Sequence, residues 1–239
     1  MSGQGKYQPR SAFGRAIHSF EENAIAIMLG LMTMITFVNV IMRYVFNSLV
    51  IWGLEVVLVL FAWMVLFGIS YGFKITAHLG VDAITNLLSP STRRILGLLS
   101  GAICILYAIM LLKGAWDYWA PFAGMNATSG RWFPTGFETT RSRSYFETDQ
   151  VPIPFDWFKA WLEQTFNSYQ EGGKTIVESY SKLPRVVPYL ILPVACALIL
   201  YRVIEVTLRI WRGDQDSLIV SHEAEDAVEE AAARAAKEG

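Results

Sequence analysis

Hydrophobic residues fall along this chain in long, nearly charge-free runs. The first extends from Ala24 to about Phe46 and the second from Gly53 to Phe73, broken only by Glu55 near its start. The third covers Ile95 to Trp116 and the fourth Val186 to Trp211. At about 1.5 Å of rise per residue, each run is long enough for the roughly 30 Å of bilayer hydrocarbon. Lipid tolerates only helices or closed barrels, and these runs lack the alternation that a barrel needs, so four transmembrane helices are predicted. The first run is too long for the core of a secretory signal and no small-residue cleavage site follows it; it is expected to stay in the mature protein.

The polar stretches complete the map. Residues 1–23 form a polar N-terminal segment carrying Lys6, Arg10 and Arg15 ahead of Glu21 and Glu22, and 24–116 hold the first three spans. Asn47 to Trp52 is a tight link. In the connection after the second span, an apolar stripe of Leu79, Val81, Ile84, Leu87 and Leu88, with Asp82, Thr85 and Asn86 opposite, predicts an amphipathic helix over 78–89 lying in the membrane interface and ended by Pro90. An insert over 117–185 precedes the fourth span at 186–212, and 213–239 is an acidic, alanine-rich tail whose Glu230 and Arg234 suit a solvated helix. The expected fold is therefore an all-α integral membrane protein with four transmembrane helices, an interfacial amphipathic helix and a long insert between helices 3 and 4.

Basic residues cluster in the N-terminal segment, in the 74–94 connection and at the end of the fourth span. With an even number of spans these flanks share one side, so the positive-inside rule places both termini in the cytoplasm and the insert outside. The insert is rich in aromatics and proline, and Phe155, Phe158, Trp161, Leu162 and Phe166 approach helical spacing. A short helix is expected there, packed on the membrane face or on a partner; composition favours neither.

Composition narrows the function classes. The chain is 53% hydrophobic and 17% charged with a net charge of −1, and its basic residues form no stripe, which excludes nucleic-acid binding. Cys104 and Cys196 lie inside apolar runs and say nothing about redox compartment. None of the three histidines lies in a span, so no facing pair is available for haem. Phosphate loops, nucleophile elbows and paired carboxylate sites are missing, so no enzyme activity and no cofactor are expected.

Several polar residues stand out against this background. Arg43 and Glu55 flank the link at similar depth, as a structural ion pair, as snorkelling side chains or as functional groups. Asn39, deeper in the first span, is expected to bond a neighbouring helix. His78 and Asp82 would share a helix face, but two ligands without a nearby His or Cys make a weak metal signal. Arg202, Glu205 and Arg209 are spaced to pair along one face of the fourth span, and Pro193 predicts a kink in it. Gly101 to Ala108 is suited to close helix packing.

Together these residues carry a family resemblance. Asn39-Val-Ile-Met-Arg43-Tyr44-Val-Phe-Asn47, leading through Trp52 and Glu55 to Phe61-Ala-Trp63, Gly68 and Ala77-His78-Leu-Gly-Val-Asp82, resembles the small membrane subunit of tripartite ATP-independent periplasmic (TRAP) transporters, the DctQ-like family. The insert, with Gly130-Arg-Trp-Phe-Pro134 and Ile153-Pro-Phe, resembles the longer forms associated with C4-dicarboxylate systems. The resemblance implies a subunit of the bacterial inner membrane that binds a large multi-span permease subunit and works with a periplasmic solute-binding protein in sodium-driven import. Solute and ion sites would belong to the large subunit, and this chain would be a scaffold within the lipid. On that basis Asn39, Arg43, Tyr44, Trp52, Glu55, Trp63, His78 and Asp82 are candidate structural or subunit-interface residues, with Arg43 and Glu55 pinning the outer corner of the first helix pair. The competing expectation is a small channel or exporter that works alone.

Overall fold

A computed structural model describes residues 12–75, 88–137 and 143–213. Residues 76–87, which hold His78, Asp82 and nearly all of the helix expected over 78–89, lie outside the described residues, as does the tail after Gly213. Helix α1 is Ala12–Tyr44, α2 is Gly53–Ile75 and α3 is Pro90–Trp119. In the insert, α4 (Asp156–Phe166) leads into a hairpin of β1 (Ser168–Glu171) and β2 (Lys174–Val177). A single turn, α5 (Val186–Tyr189), then precedes α6 (Ile191–Arg212). Among the described residues four helical stretches are long and apolar enough to cross a membrane: Ser19–Tyr44, Gly53–Gly72, Ser91–Ala123 and Val186–Arg212. The protein is a helical, multi-pass membrane protein, and among the described residues it has one small sheet.

Local chemistry sets the helix ends. Asn47 adopts φ 47°, a left-handed conformation that Asn tolerates better than most residues, and Ser48 N–H closes back onto the Met42 carbonyl at 2.9 Å. This seven-residue closure stops α1 and reverses the chain. At the opposite end, Ser89 caps α3 by accepting from Thr92 N–H, and Pro90 occupies the first turn, where its missing N–H costs nothing. Gly213, at φ 81°, ends α6.

The kink expected from Pro193 appears upstream of it, as the break at Leu190 between α5 and α6. A proline ring clashes with the carbonyl four residues earlier, which here belongs to Tyr189, so the irregular turn falls there. Inside a membrane such a break persists only if its backbone groups find other partners. Two tryptophans supply them. Trp63 Nε1 donates to the Pro188 carbonyl at 2.9 Å, and Trp119 Nε1 donates to that of Val186 at 3.0 Å.

The last span is the centre of the bundle. Helix α6 packs against α3 on one side and α2 on the other, while α1 packs chiefly on α2. Of the most apolar window of each span, 39% is buried in the fourth and 6% in the first, so α1 is peripheral. Between helices in lipid, contact is favoured by close packing more than by removal from water, which explains the small residues at the α3–α6 seam. Ala108 packs on Ile199 and Val203. A methyl group placed on Gly101 would lie 2.6 Å from Thr207 Oγ1, so glycine permits the approach.

The insert has its own small core over the insert end of the bundle. Residues 146–151 run against 183–185, with Thr148 N–H bonded to the Leu183 carbonyl and Leu183 N–H to that of Val151, both at 2.8 Å. Tyr180 is almost fully buried and donates its hydroxyl to the Ser144 carbonyl at 2.7 Å. Burial, reinforced by the carboxylates of Glu147 and Glu163, pushes the Tyr180 phenol above its ordinary range. The β1–β2 hairpin was not expected from the sequence; Gly172 and Gly173, at φ 58° and 75°, make its two-residue turn.

Candidate functional site

The strongest concentration of charge within the spans lies at the end opposite the insert. Glu21 of α1 and Arg202 of α6 are both fully buried, at 0% exposure. Arg202 Nη2 meets Glu21 Oε2 at 2.6 Å and its Nε donates to Oε1 at 3.4 Å. Ser70 of α2 donates its hydroxyl to Glu21 Oε1 at 2.8 Å, bringing a third helix into the cluster. Arg202 Nη1 continues to Glu205 at 2.8 Å, and Glu205 to Arg209 at 2.6 Å. Next to it, Tyr71 donates to Glu22 at 3.0 Å. Two carboxylates and two guanidinium groups balance in charge, which is how ions are tolerated away from water.

The pairing of Arg202, Glu205 and Arg209 follows the expected spacing, whereas Glu21 is a partner that the sequence reading missed. A signal was available. Two arginines and one glutamate on the fourth span leave a positive surplus, and Glu21 and Glu22 enter the first span at the same end.

Candidate residues from the first helix pair are placed around the insert end. Asn39 Oδ1 accepts from Val50 N–H at 3.2 Å, so it ties α1 to the link instead of to another helix. Arg43 lies 5.9 Å from the Tyr44 ring centre, and no ion pair joins it to Glu55 among the described residues. Glu55 instead accepts from two consecutive backbone groups of the insert, Asp149 N–H at 3.0 Å and Gln150 N–H at 2.7 Å. Its carboxylate therefore fastens the start of α2 to the insert. Tyr44 and Trp52 are exposed at the corner, and Trp63 holds the broken start of the last span.

A further polar knot secures the insert to α3. Lys113 pairs with Asp117 and donates to the Thr128 carbonyl at 3.1 Å, and Thr128 Oγ1 donates to Asp117 at 2.6 Å. Beside it, a groove of about 410 Å³ opens between α2, the end of α3 and the 188–192 turn, with walls from Leu58, Ala62, Leu66 and Tyr118 and Glu55 as its charged residue. The arrangement is suited to holding helices and insert in register. It offers apolar surface to neighbours.

Comparison with known proteins agrees with this architecture. The family model described as "Tripartite ATP-independent periplasmic transporters, DctQ component" matches residues 32–137. Over 221 residues the chain is 37% identical to the C4-dicarboxylate TRAP transporter small permease protein DctQ of Vibrio cholerae serotype O1, covering 92% of this chain and 83% of that protein. It is 28% identical over 134 residues to the protein of the same name from Pseudomonas aeruginosa, covering 45% and 64% respectively.

Proposed function

Because this chain belongs to the DctQ component family of tripartite ATP-independent periplasmic transporters, we propose that it is the scaffold subunit of a sodium-driven importer of organic acids, C4-dicarboxylates in particular. In this reading it sits in the bacterial inner membrane with both termini cytoplasmic. It supports a large permease subunit that carries the solute and ion sites, and its insert helps dock a periplasmic solute-binding protein. The exposed corner residues Arg43, Tyr44 and Trp52 are assigned to contact with the large subunit.

The observation that carries the scaffold role is the surface of α1. From Asn23 to Met42 it has no charged side chain, and Ile27, Leu31, Met34 and Phe37 are all exposed. Such a surface fits lipid or a partner helix and gives a hydrated anion nothing to bind. The C4-dicarboxylate assignment rests on the names of the Vibrio and Pseudomonas relatives.

Deletion of this chain should abolish sodium-dependent dicarboxylate uptake while the large subunit remains in the membrane, and the two should co-purify in detergent. Full uptake by the large subunit and solute-binding protein alone would overturn the reading. Dicarboxylate flux through vesicles holding only this chain would favour the self-sufficient channel.

A further inference from the structure

Helix α4 is amphipathic in the wrong sense for a helix facing water. Glu163 is committed inward, accepting from Ser179 Oγ at 2.8 Å and Tyr180 N–H at 2.9 Å, and Lys159, its side chain 37% exposed, lies 3.8 Å from Glu163. Leu162 is fully buried on that side. The largest rings point away from the protein, Trp157 being 71% exposed and Trp161 51%. They are four residues apart and share a face. Phe155, just before the helix, stacks on Trp157 at 6.0 Å, and Phe158 stacks on Trp161 at 5.9 Å.

Both ends of this ring-bearing segment are tied to the ends of membrane spans. Trp161 meets Phe166 edge to face at 5.7 Å, and Phe166 packs on the cluster of Phe122, Ala123 and Val186 where α3 and the fourth span emerge. Upstream, Asp149 and Gln150 are held by Glu55 at the start of α2. A helix of this length covers about 16 Å, so it is suspended between two points at the level of the span ends. Elsewhere in the insert, the Trp132 ring lies 5.7 Å from the ammonium of Lys113, a residue of the third span.

We propose that the Trp157–Trp161 face of α4 rests in the lipid interface on the insert side of the membrane and anchors the insert to the bilayer surface. Tryptophan has an apolar body and one N–H donor, which suits it to the boundary between acyl chains and headgroups. The outward strip offers no cation or carboxylate beyond Asp156 at its edge, so electrostatic recognition of a protein partner has little to act on there. The proposal stands on the membrane fold alone and is independent of what the protein transports. It also assigns the ring-free side of the insert to any periplasmic partner.

The test uses the full chain in lipid nanodiscs, with both native cysteines replaced and a single spin label introduced through Trp157→Cys, Trp161→Cys or Asp156→Cys. At 157 and 161 the label should collide more readily with oxygen, which concentrates in lipid, than with a water-soluble nickel chelate. At 156 the preference should invert. The unsubstituted protein provides a second measurement: lipids with brominated chains should quench part of its tryptophan fluorescence, and Trp157→Phe with Trp161→Phe should reduce that quenched part, the span tryptophans accounting for the remainder. Nickel access exceeding oxygen access at both 157 and 161, or quenching unchanged by the double substitution, would overturn the proposal and indicate a protein-facing surface.

Discussion

Arg202→Met offers a quantitative test of how the bundle is held. The substitution keeps an unbranched apolar stem but removes the guanidinium that meets Glu21 at 2.6 Å and Glu205 at 2.8 Å. Because Arg202 and Glu21 are both fully buried, solvent screening does not weaken the loss. Breaking a buried pair from one side costs about 3–5 kcal/mol. The lower end applies here, since Glu21 retains the Ser70 hydroxyl and Glu205 retains Arg209. About 3 kcal/mol in a chain of this size corresponds to a drop in midpoint of roughly 6–12 °C. The assay is thermal unfolding in nanodiscs, followed by size-exclusion chromatography of the soluble fraction. Glu21→Leu combined with Arg202→Met removes both charges and should recover most of the loss, because an apolar replacement of a whole buried pair is often neutral or better. A single variant within about 2 °C of the parent, on the same size scaling, or a double variant that falls by the sum of the two single losses, would refute the reasoning.

Gly101→Ala should destabilise the α3–α6 seam by about 1–3 kcal/mol, as overpacking does, and Thr207→Ala in the same chain should restore part of it in the same thermal assay. Glu55→Ala should leave the melting of the four spans nearly unchanged while amide exchange at Asp149 and Gln150 accelerates, as read by hydrogen–deuterium exchange mass spectrometry. For Tyr180, the phenol is raised in the folded state, so the folded insert holds its proton where the unfolded chain releases it. Its contribution to stability is complete below about pH 10, the unfolded phenol value, and is lost as pH rises beyond it. Ultraviolet titration of phenolate should therefore show one tyrosine ionising later in the parent than in Tyr180→Phe.

The spans were legible because each apolar run is uninterrupted and lipid leaves so few alternatives. Pro193 predicted a kink, and only the direction of its steric clash, toward residue 189, places the break at Leu190. Close packing at Gly101 and Ala108 was readable from residue size. The Glu21–Arg202 contact was harder, since charge spacing reports neighbours on one helix and not the rotation of another. Glu55 was noticed for its charge, but its partners are backbone N–H groups of an irregular loop, which carry no side-chain signature. In the insert, the short polar strands of the hairpin lacked the apolar alternation that would have made Gly172-Gly173 an obvious turn.

The separation of Glu21 from Arg202 by 181 positions also imposes an order of events during synthesis. At a typical 5–20 residues per second, the arginine is made about 10–40 s after the glutamate. In the later part of that interval the first three helices have been made, while the helix that packs between α2 and α3 is not yet complete. Until Arg202 arrives, Glu21 lacks the guanidinium that balances its charge in the finished bundle. The last helix thus acts as a closing step in biogenesis, and a chain truncated before Arg202 would have the greasy segments needed to enter the membrane without the contact that gathers them.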